Sequence, residues 1–201
     1  AKFELAMVKC REAMQQFPKS PLAPRSLMLM GFSYLDRGDA LNGIRVFQRY
    51  IADFPESKMK EAAELALADA YVHINRFQDS LSLLEGVSLK GQNPLARAEA
   101  VYLKGDVHFQ AKEFNKAVEA YQSAFEKNRN EWKNFPNAFY NTAESLFWLG
   151  QYRKSLDAYR DYLKRFPKHP HAGYALTRIG ELLEILGADQ SRVMGTYLET
   201  S

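Results

Sequence analysis

The stretch that decides the fold is Ala98–Phe125, AEAVYLKGDVHFQAKEFNKAVEAYQSAF, in which two amphipathic segments flank a short polar break at Lys112. Its small residue Gly105 belongs to a series, Gly31, Ala68, Gly105, Ala143 and Gly180, spaced 37 or 38 residues apart. Other positions recur in the same register. Phe3, Phe77, Phe114 and Tyr152 form one set, Cys10, Phe47, Leu84, Tyr121 and Tyr159 another, and Phe17-Pro18, Phe54-Pro55 and Phe166-Pro167 a third. A fixed period in this range signals stacked supersecondary units, each unable to bury its apolar face alone.

Both segments of the period read as helices. In residues 58–74, Ala62, Leu65, Ala66, Ala68, Tyr71 and Val72 recur at helical spacing; in 114–127, Phe114, Ala117, Val118, Tyr121, Ala124 and Phe125 do so. Between the two helices stand Gly38, Asn75, Lys112, Gly150 and Gly187, the candidates for closing a tight reversal. Connections this short make neighbouring helices antiparallel. Ser20-Pro21 and Asn93-Pro94 read as an N-cap followed by proline at the first helical position, with Pro167-Lys168-His169-Pro170 as a variant.

Read outward, the chain divides into a lone second helix over 1–20, repeats over 21–57, 58–93, 94–130 and 131–169, and a degenerate repeat over 170–201. These form one continuous array of about eleven helices and no strand. The opening on a second helix points to a piece of a longer protein, and exposed apolar surface is expected at both ends. Composition agrees with a helical globular chain: 46% hydrophobic, with 27 Lys and Arg dispersed among 24 Asp and Glu for a net charge of +3. Such a balance carries no nucleic-acid signature by itself. The single cysteine, Cys10, excludes an intramolecular disulfide and falls in a packing series. No apolar run approaches the about 18 residues needed to span a bilayer.

The pattern resembles the tetratricopeptide repeat (TPR) family, whose signature is W-x2-L-G-x2-Y, then A-x3-F, then P. Leu27, Met30, Gly31, Tyr34, Gly43, Phe47 and Pro55 match it, as do Gly105, Ala117 and Tyr121, and Phe139, Ala143, Ser155, Tyr159 and Pro167. Gly180 carries a last repeat that degenerates at Arg192 and Thr196. The signature Trp is absent, His108 and Leu146 replace Tyr, Lys104 replaces Leu, and the third repeat ends Asn128-Arg129 without Pro. The period exceeds the family's 34, a lengthening similar to that of many bacterial envelope and scaffolding members. The resemblance implies an all-α, right-handed α-solenoid of antiparallel helix pairs.

It also implies that one face of each first helix lines a concave groove where partners bind. The residues nominated for partner binding are Asp69, His73, Glu99, Tyr102, Asp106, Gln110, Asn137, Tyr140, Glu144, Trp148, Tyr174 and Glu181, with Arg25, Met28, Phe32, Asp36, Leu65, Thr177 and Glu184 around them. Four acids, Asp69, Asp106, Glu144 and Glu181, occupy one repeat position. A carboxylate ladder with aromatic side chains between its rungs suits a protein or peptide segment bearing Lys or Arg. The alternative for these acids is solvation or pairing to the adjacent helix through Arg25, Lys104 or Arg178. A chaperone-tail receptor is disfavoured, because acids stand where that clamp carries Asn and Leu65 and Tyr102 where it carries Lys.

Phosphate loops, His-Glu-x-x-His, paired cysteines and Gly-x-Ser-x-Gly are all missing, so no enzyme, cofactor or metal is expected. His169-Pro170-His171 reads as a helix lead-in, and His108 as a packing residue in place of Tyr. The expected function is a protein-interaction scaffold. A structural or self-associating spacer, joined through its terminal repeats, is the alternative. A helical-repeat nucleic-acid binder fits less well, because the groove reads acidic; nor is membrane insertion expected. The compartment stays open, the cytoplasm or a bacterial envelope being compatible.

Overall fold

The structure, a computed structural model, describes residues 2–17 and 20–188. The described residues hold ten α-helices: α1 Lys2–Gln16, α2 Ala23–Asp36, α3 Ala40–Asp53, α4 Lys60–His73, α5 Phe77–Lys90, α6 Pro94–Gln110, α7 Phe114–Lys127, α8 Pro136–Trp148, α9 Tyr152–Arg165 and α10 Ala172–Ile185. A 3₁₀ turn at Trp132–Asn134 precedes α8, and no strand occurs among the described residues. The fold class is all-α, built of antiparallel helix hairpins at the expected period; the eleventh helix expected after Gly187 lies outside the described residues. Two compact units divide within α6, Ala1–Ala100 and Val101–Ser201.

Each hairpin reversal is made the same way. Gly38 (φ 74°), Asn75 (59°), Lys112 (59°), Gly150 (70°) and Gly187 (74°) all adopt the left-handed conformation. The N–H groups after them reach back to the closing turn of the helix, as in Asp39 N to Tyr34 O at 2.9 Å and Glu113 N to His108 O at 2.9 Å. Such bonds satisfy carbonyls that a helix C-terminus leaves without partners. Lys112 is the one with a long side chain, and a Cβ in this conformation costs about 1 kcal/mol. Four of the turn residues read from the sequence, Gly38, Asn75, Lys112 and Gly150, are therefore reversal points between described helices, and Gly187 ends α10 in the same conformation.

At Gly31 and Gly105 of the small-residue series a ring of the second helix lies against the backbone of the first. A Cβ added to Gly31 would overlap the Phe47 ring, and one added to Gly105 the Tyr121 ring. In the first unit the core gathers Met7, Leu27, Met30, Phe47, Tyr50, Leu67 and Tyr71, with Cys10 half-buried against it. In the second, Ala143, Tyr159, Tyr162, Ile179 and Leu182 form one cluster, and Tyr102, Ala117, Tyr121 and Ala138 another.

Two local readings change. Helix α2 begins at Ala23 rather than Pro21; the Ser20 Oγ accepts from Leu22 N at 3.2 Å, so Ser20 shapes the approach rather than capping the helix. Ser57 does the same for Met59 N, and its Oγ is also 2.7 Å from the Tyr50 hydroxyl. In the second unit His169 takes that place, its Nδ1 2.7 Å from the Tyr162 hydroxyl. This is the work of His169 in the His-Pro-His lead-in. Asn93 caps α6 as read, accepting from Leu95 N at 2.9 Å. His108 is paired across the hairpin turn, Nδ1 2.7 Å from Glu113.

Candidate functional site

The four acids at the common repeat position have different surroundings. Asp69 on α4 is exposed and lies 3.6 Å from His73 one turn on. Asp106 on α6 accepts the Tyr121 hydroxyl of α7 and the Asn141 amide of α8, the latter at 2.9 Å. Asn141 also reaches the Tyr121 oxygen at 3.1 Å, closing a three-membered network. Glu144 is buried at 6% exposure and accepts from the Tyr159 hydroxyl, from Tyr140 at 3.3 Å, and from Arg178 Nε and Nη2 at 3.1 and 3.3 Å. Glu181 is held by the same guanidinium, Arg178 Nη1 lying 2.6 Å away.

A row of equally solvent-facing carboxylates is thus corrected: packing uses two of the four. Asp106 and Glu144 each tie the first helix of a hairpin to the tyrosine of its second helix and to a nitrogen donor one repeat onward. The reason is desolvation, since a buried carboxylate is tolerable only with its oxygens occupied. Of the three bases weighed as pairing partners, Arg178 pairs with both Glu144 and Glu181.

Protonation energetics follow from the same contacts. Burial, reinforced by the neighbouring Asp106 or Glu144 charge, pushes the Tyr121 and Tyr159 hydroxyls far above the ordinary tyrosine value. Burial pushes Tyr162 up to about 12. For Arg178 burial works against the charge, but hydrogen bonds to Glu144 and Glu181 outweigh it and hold the guanidinium above its usual value. Glu99, half-buried on α6, is raised by desolvation.

The aromatic members separate as sharply. Tyr102 is 1% exposed, its ring stacked 4.0 Å from that of Phe135, so it packs rather than facing solvent. Tyr140 is half-buried between the Tyr159 and Tyr162 rings. Trp148 and Tyr174 are 59% and 68% exposed, Trp148 lying parallel to Phe114 and Tyr174 edge-on to His171. Gln110 and Asn137 are exposed at the end of α6 and the start of α8. Among the described residues no group of three or more His, Cys, Asp or Glu is placed to hold a metal ion, and no helix is long and apolar enough to cross a membrane.

Sequence reasoning did not single out Asn141, Tyr121 and Tyr159 as partners of the acids. A signal was present. Asp106 and Glu144 are each followed by Tyr fifteen residues later and by Asn or Arg 34 or 35 later, whereas Phe32 is followed by Phe47 and Asp69 by Leu84. Hydroxyl and acid occur together, and where the second helix offers no hydroxyl the acid is absent or exposed.

A stack of helix hairpins with solvent-facing aromatic and acidic side chains defines a helical-repeat protein of the interaction-scaffold class. The chain matches the tetratricopeptide repeat-like domain family over residues 4–137 and the tetratricopeptide repeat family over 137–169. It belongs to the TPR family. It is 33% identical over 99 residues to "Small glutamine-rich tetratricopeptide repeat-containing protein 2" of Mycosarcoma maydis, a match spanning 49% of this chain and 26% of that protein. Among solved structures, a tetratricopeptide repeat protein from Parabacteroides merdae superposes with a TM-score of 0.70 at 16% identity, over 98% of this chain and 72% of that one. MamA superposes with a TM-score of 0.63 at 22% identity, over 85% and 92%. These two likenesses establish the fold.

Proposed function

We propose that this chain is a non-catalytic scaffold that holds a Lys- or Arg-bearing segment of a protein partner against its first helices. The observation that carries the reading is the exposure of Trp148 and Tyr174, 59% and 68%, on α8 and α10. Large aromatic side chains left in water mark contact surfaces, and a ring face attracts a cation as well as apolar groups. In the same unit the partly accessible acid is Glu181, half-buried on α10; in the first unit Asp69 is exposed and Glu99 half-buried. Asp106 and Glu144 contribute to the fold, so contact in this unit falls to Gln110, Asn137 and the exposed rings instead, and in the first unit to His73 with Asp69.

The test is a titration of the chain with basic, neutral and acidic peptides of equal length, read by tryptophan fluorescence. Basic peptides bind tightest, with affinity that falls as salt rises. Trp148→Ala and Tyr174→Ala each weaken binding by about tenfold without altering helicity. Equal binding of acidic and basic peptides, or unchanged affinity in both variants, overturns the reading.

A self-associating scaffold is the second reading, favoured by one observation. On α1, Leu5 and Val8 are 60% and 43% exposed, whereas the corresponding positions of α3, α5, α7 and α9 carry Asn42, Asp79, Lys116 and Lys154, and Arg45, Ser82, Glu119 and Asp157. Sedimentation of wild type and Leu5→Glu decides it. A concentration-dependent oligomer that the substitution dissolves supports it, and a monomer at all concentrations sinks it.

A further inference from the structure

The α4–α5 hairpin departs from its neighbours at one end. Four residues before the small residue of each other first helix stands an apolar packing group, Leu27, Val101, Phe139 or Leu176; in α4 that place is Glu64. On the facing helix Gly86 replaces Arg49, Ser123 and Asp161, and a Cβ built there meets nothing within 4 Å. Gly91 stands where Phe54 and Phe166 end the matching helices. The consequence is a cleft of about 710 Å³ between the start of α4 and the end of α5, with Leu83 and Val87 among its lining residues.

Glu64 is the recessed polar group of this cleft. Its side chain is 21% exposed, and its ion pair is a loose one, Lys60 Nζ at 3.9 Å. Desolvation raises its pKa, the mark of a carboxylate short of compensation. Neighbouring Glu61 is already engaged, its oxygens accepting from Gln92 N and, at 3.0 Å, from Asn93 N. Lys58 and Lys90, which also line the cleft, are exposed, as is Glu56. Lys60, half-buried like Glu64, also lines the cleft; the interior therefore offers an apolar wall and a carboxylate only loosely paired, and its accessible rim carries both signs.

We infer that this cleft is a binding site for a lysine or arginine side chain presented by a partner protein, the aliphatic stem lying on Leu83 and Val87 and the charged head donating to Glu64. Long basic side chains divide in this way between apolar and polar surroundings. The donated bond is charge-assisted and replaces water that the half-buried carboxylate holds poorly. An anion drawn by the lysines would be brought against Glu64. The site uses none of the residues of the aromatic contact surface proposed above, and a partner need engage only one of the two.

The experiment is a ¹H–¹⁵N correlation titration of the whole chain with N-acetyl-arginine methylamide, N-acetyl-norleucine methylamide and inorganic phosphate. The arginine probe shifts the amides of Gly86, Val87, Gly91 and Asn93 saturably, with the norleucine probe about tenfold weaker. Glu64→Gln weakens the arginine probe by about tenfold, and Glu64→Leu, which installs the residue type of Leu27, abolishes its binding while the melting temperature is kept or raised. Trp148→Ala and Tyr174→Ala leave these shifts unchanged, so this site and the aromatic surface stand or fall separately. Equal binding of arginine and norleucine probes, full binding by Glu64→Leu, phosphate displacing arginine as the ligand, or silence at those amides with every probe overturns the assignment.

Discussion

Glu144 and Arg178, 34 residues apart, are joined by two hydrogen bonds of 3.1 and 3.3 Å that fasten α8 to α10, the first helices of successive repeats. The same carboxylate takes the Tyr159 hydroxyl from the second helix of its own repeat. One acid thus couples three helices, and the Asp106–Tyr121–Asn141 network does the same for α6, α7 and α8.

Removing one member of the buried set leaves the others desolvated without compensation. Glu144→Ala is expected to destabilise the chain by about 3 kcal/mol, because breaking a buried pair costs more than the pair contributes net. Arg178→Ala costs less, its side chain being 25% exposed and Tyr159 still reaching Glu144. A double-mutant cycle by urea denaturation should return a coupling well above that of the exposed Arg49–Asp53 pair, which serves as control. A coupling equal to the control would show that the guanidinium is dispensable.

Ring-on-backbone packing sets a size limit at the small-residue series. Gly105→Leu drives a side chain into Tyr121, and Gly31→Leu into Phe47, each expected to lower stability by about 1 to 3 kcal/mol. Gly173→Leu, with nothing within 4 Å of its Cβ, is the control. An unchanged melting curve for Gly105→Leu would refute the hairpin register.

Turn chemistry allows a stabilising change. Lys112 holds φ 59° at a reversal that Gly makes in two other described hairpins, so Lys112→Gly should gain about 1 kcal/mol. Gly150→Ala, at φ 70°, should lose a similar amount. Thermal unfolding of both variants checks the pair of opposite signs.

The proton affinity of His169 is lowered from 6.5, first by burial and then by the charge of His171. The unfolded chain then binds the proton more readily than the fold. Stability from this group is complete above 6.5 and is lost as pH falls through 6.5 toward the folded value. His169→Ser, which copies the Tyr50–Ser57 pair, should flatten the pH dependence of the melting temperature in that window while leaving the value at neutral pH nearly unchanged. A pH profile identical to wild type would show that His169 does not titrate on unfolding.

The residues alone determined the helix hairpins, their period and their reversals. A 37-residue spacing of small residues, apolar groups at helical intervals and five turn residues are local properties, and the chain's short-range sterics act on them directly: Gly38 and Gly150 reverse the chain because glycine adopts φ near 70° without strain. The sequence also placed Asp69, Asp106, Glu144 and Glu181 at one angular position, since periodicity specifies where a residue lies around its helix. Tertiary structure alone decided their environments. Whether such an acid meets water or a buried donor depends on the ring opposite and on a side chain 34 or 35 residues away, and therefore on how closely one hairpin stacks on the next. Tyr102 and Glu144 entered the packed interior while Trp148 and Asp69 stayed in water, because burial is a property of neighbours across the stack, which helical phase along one segment does not encode.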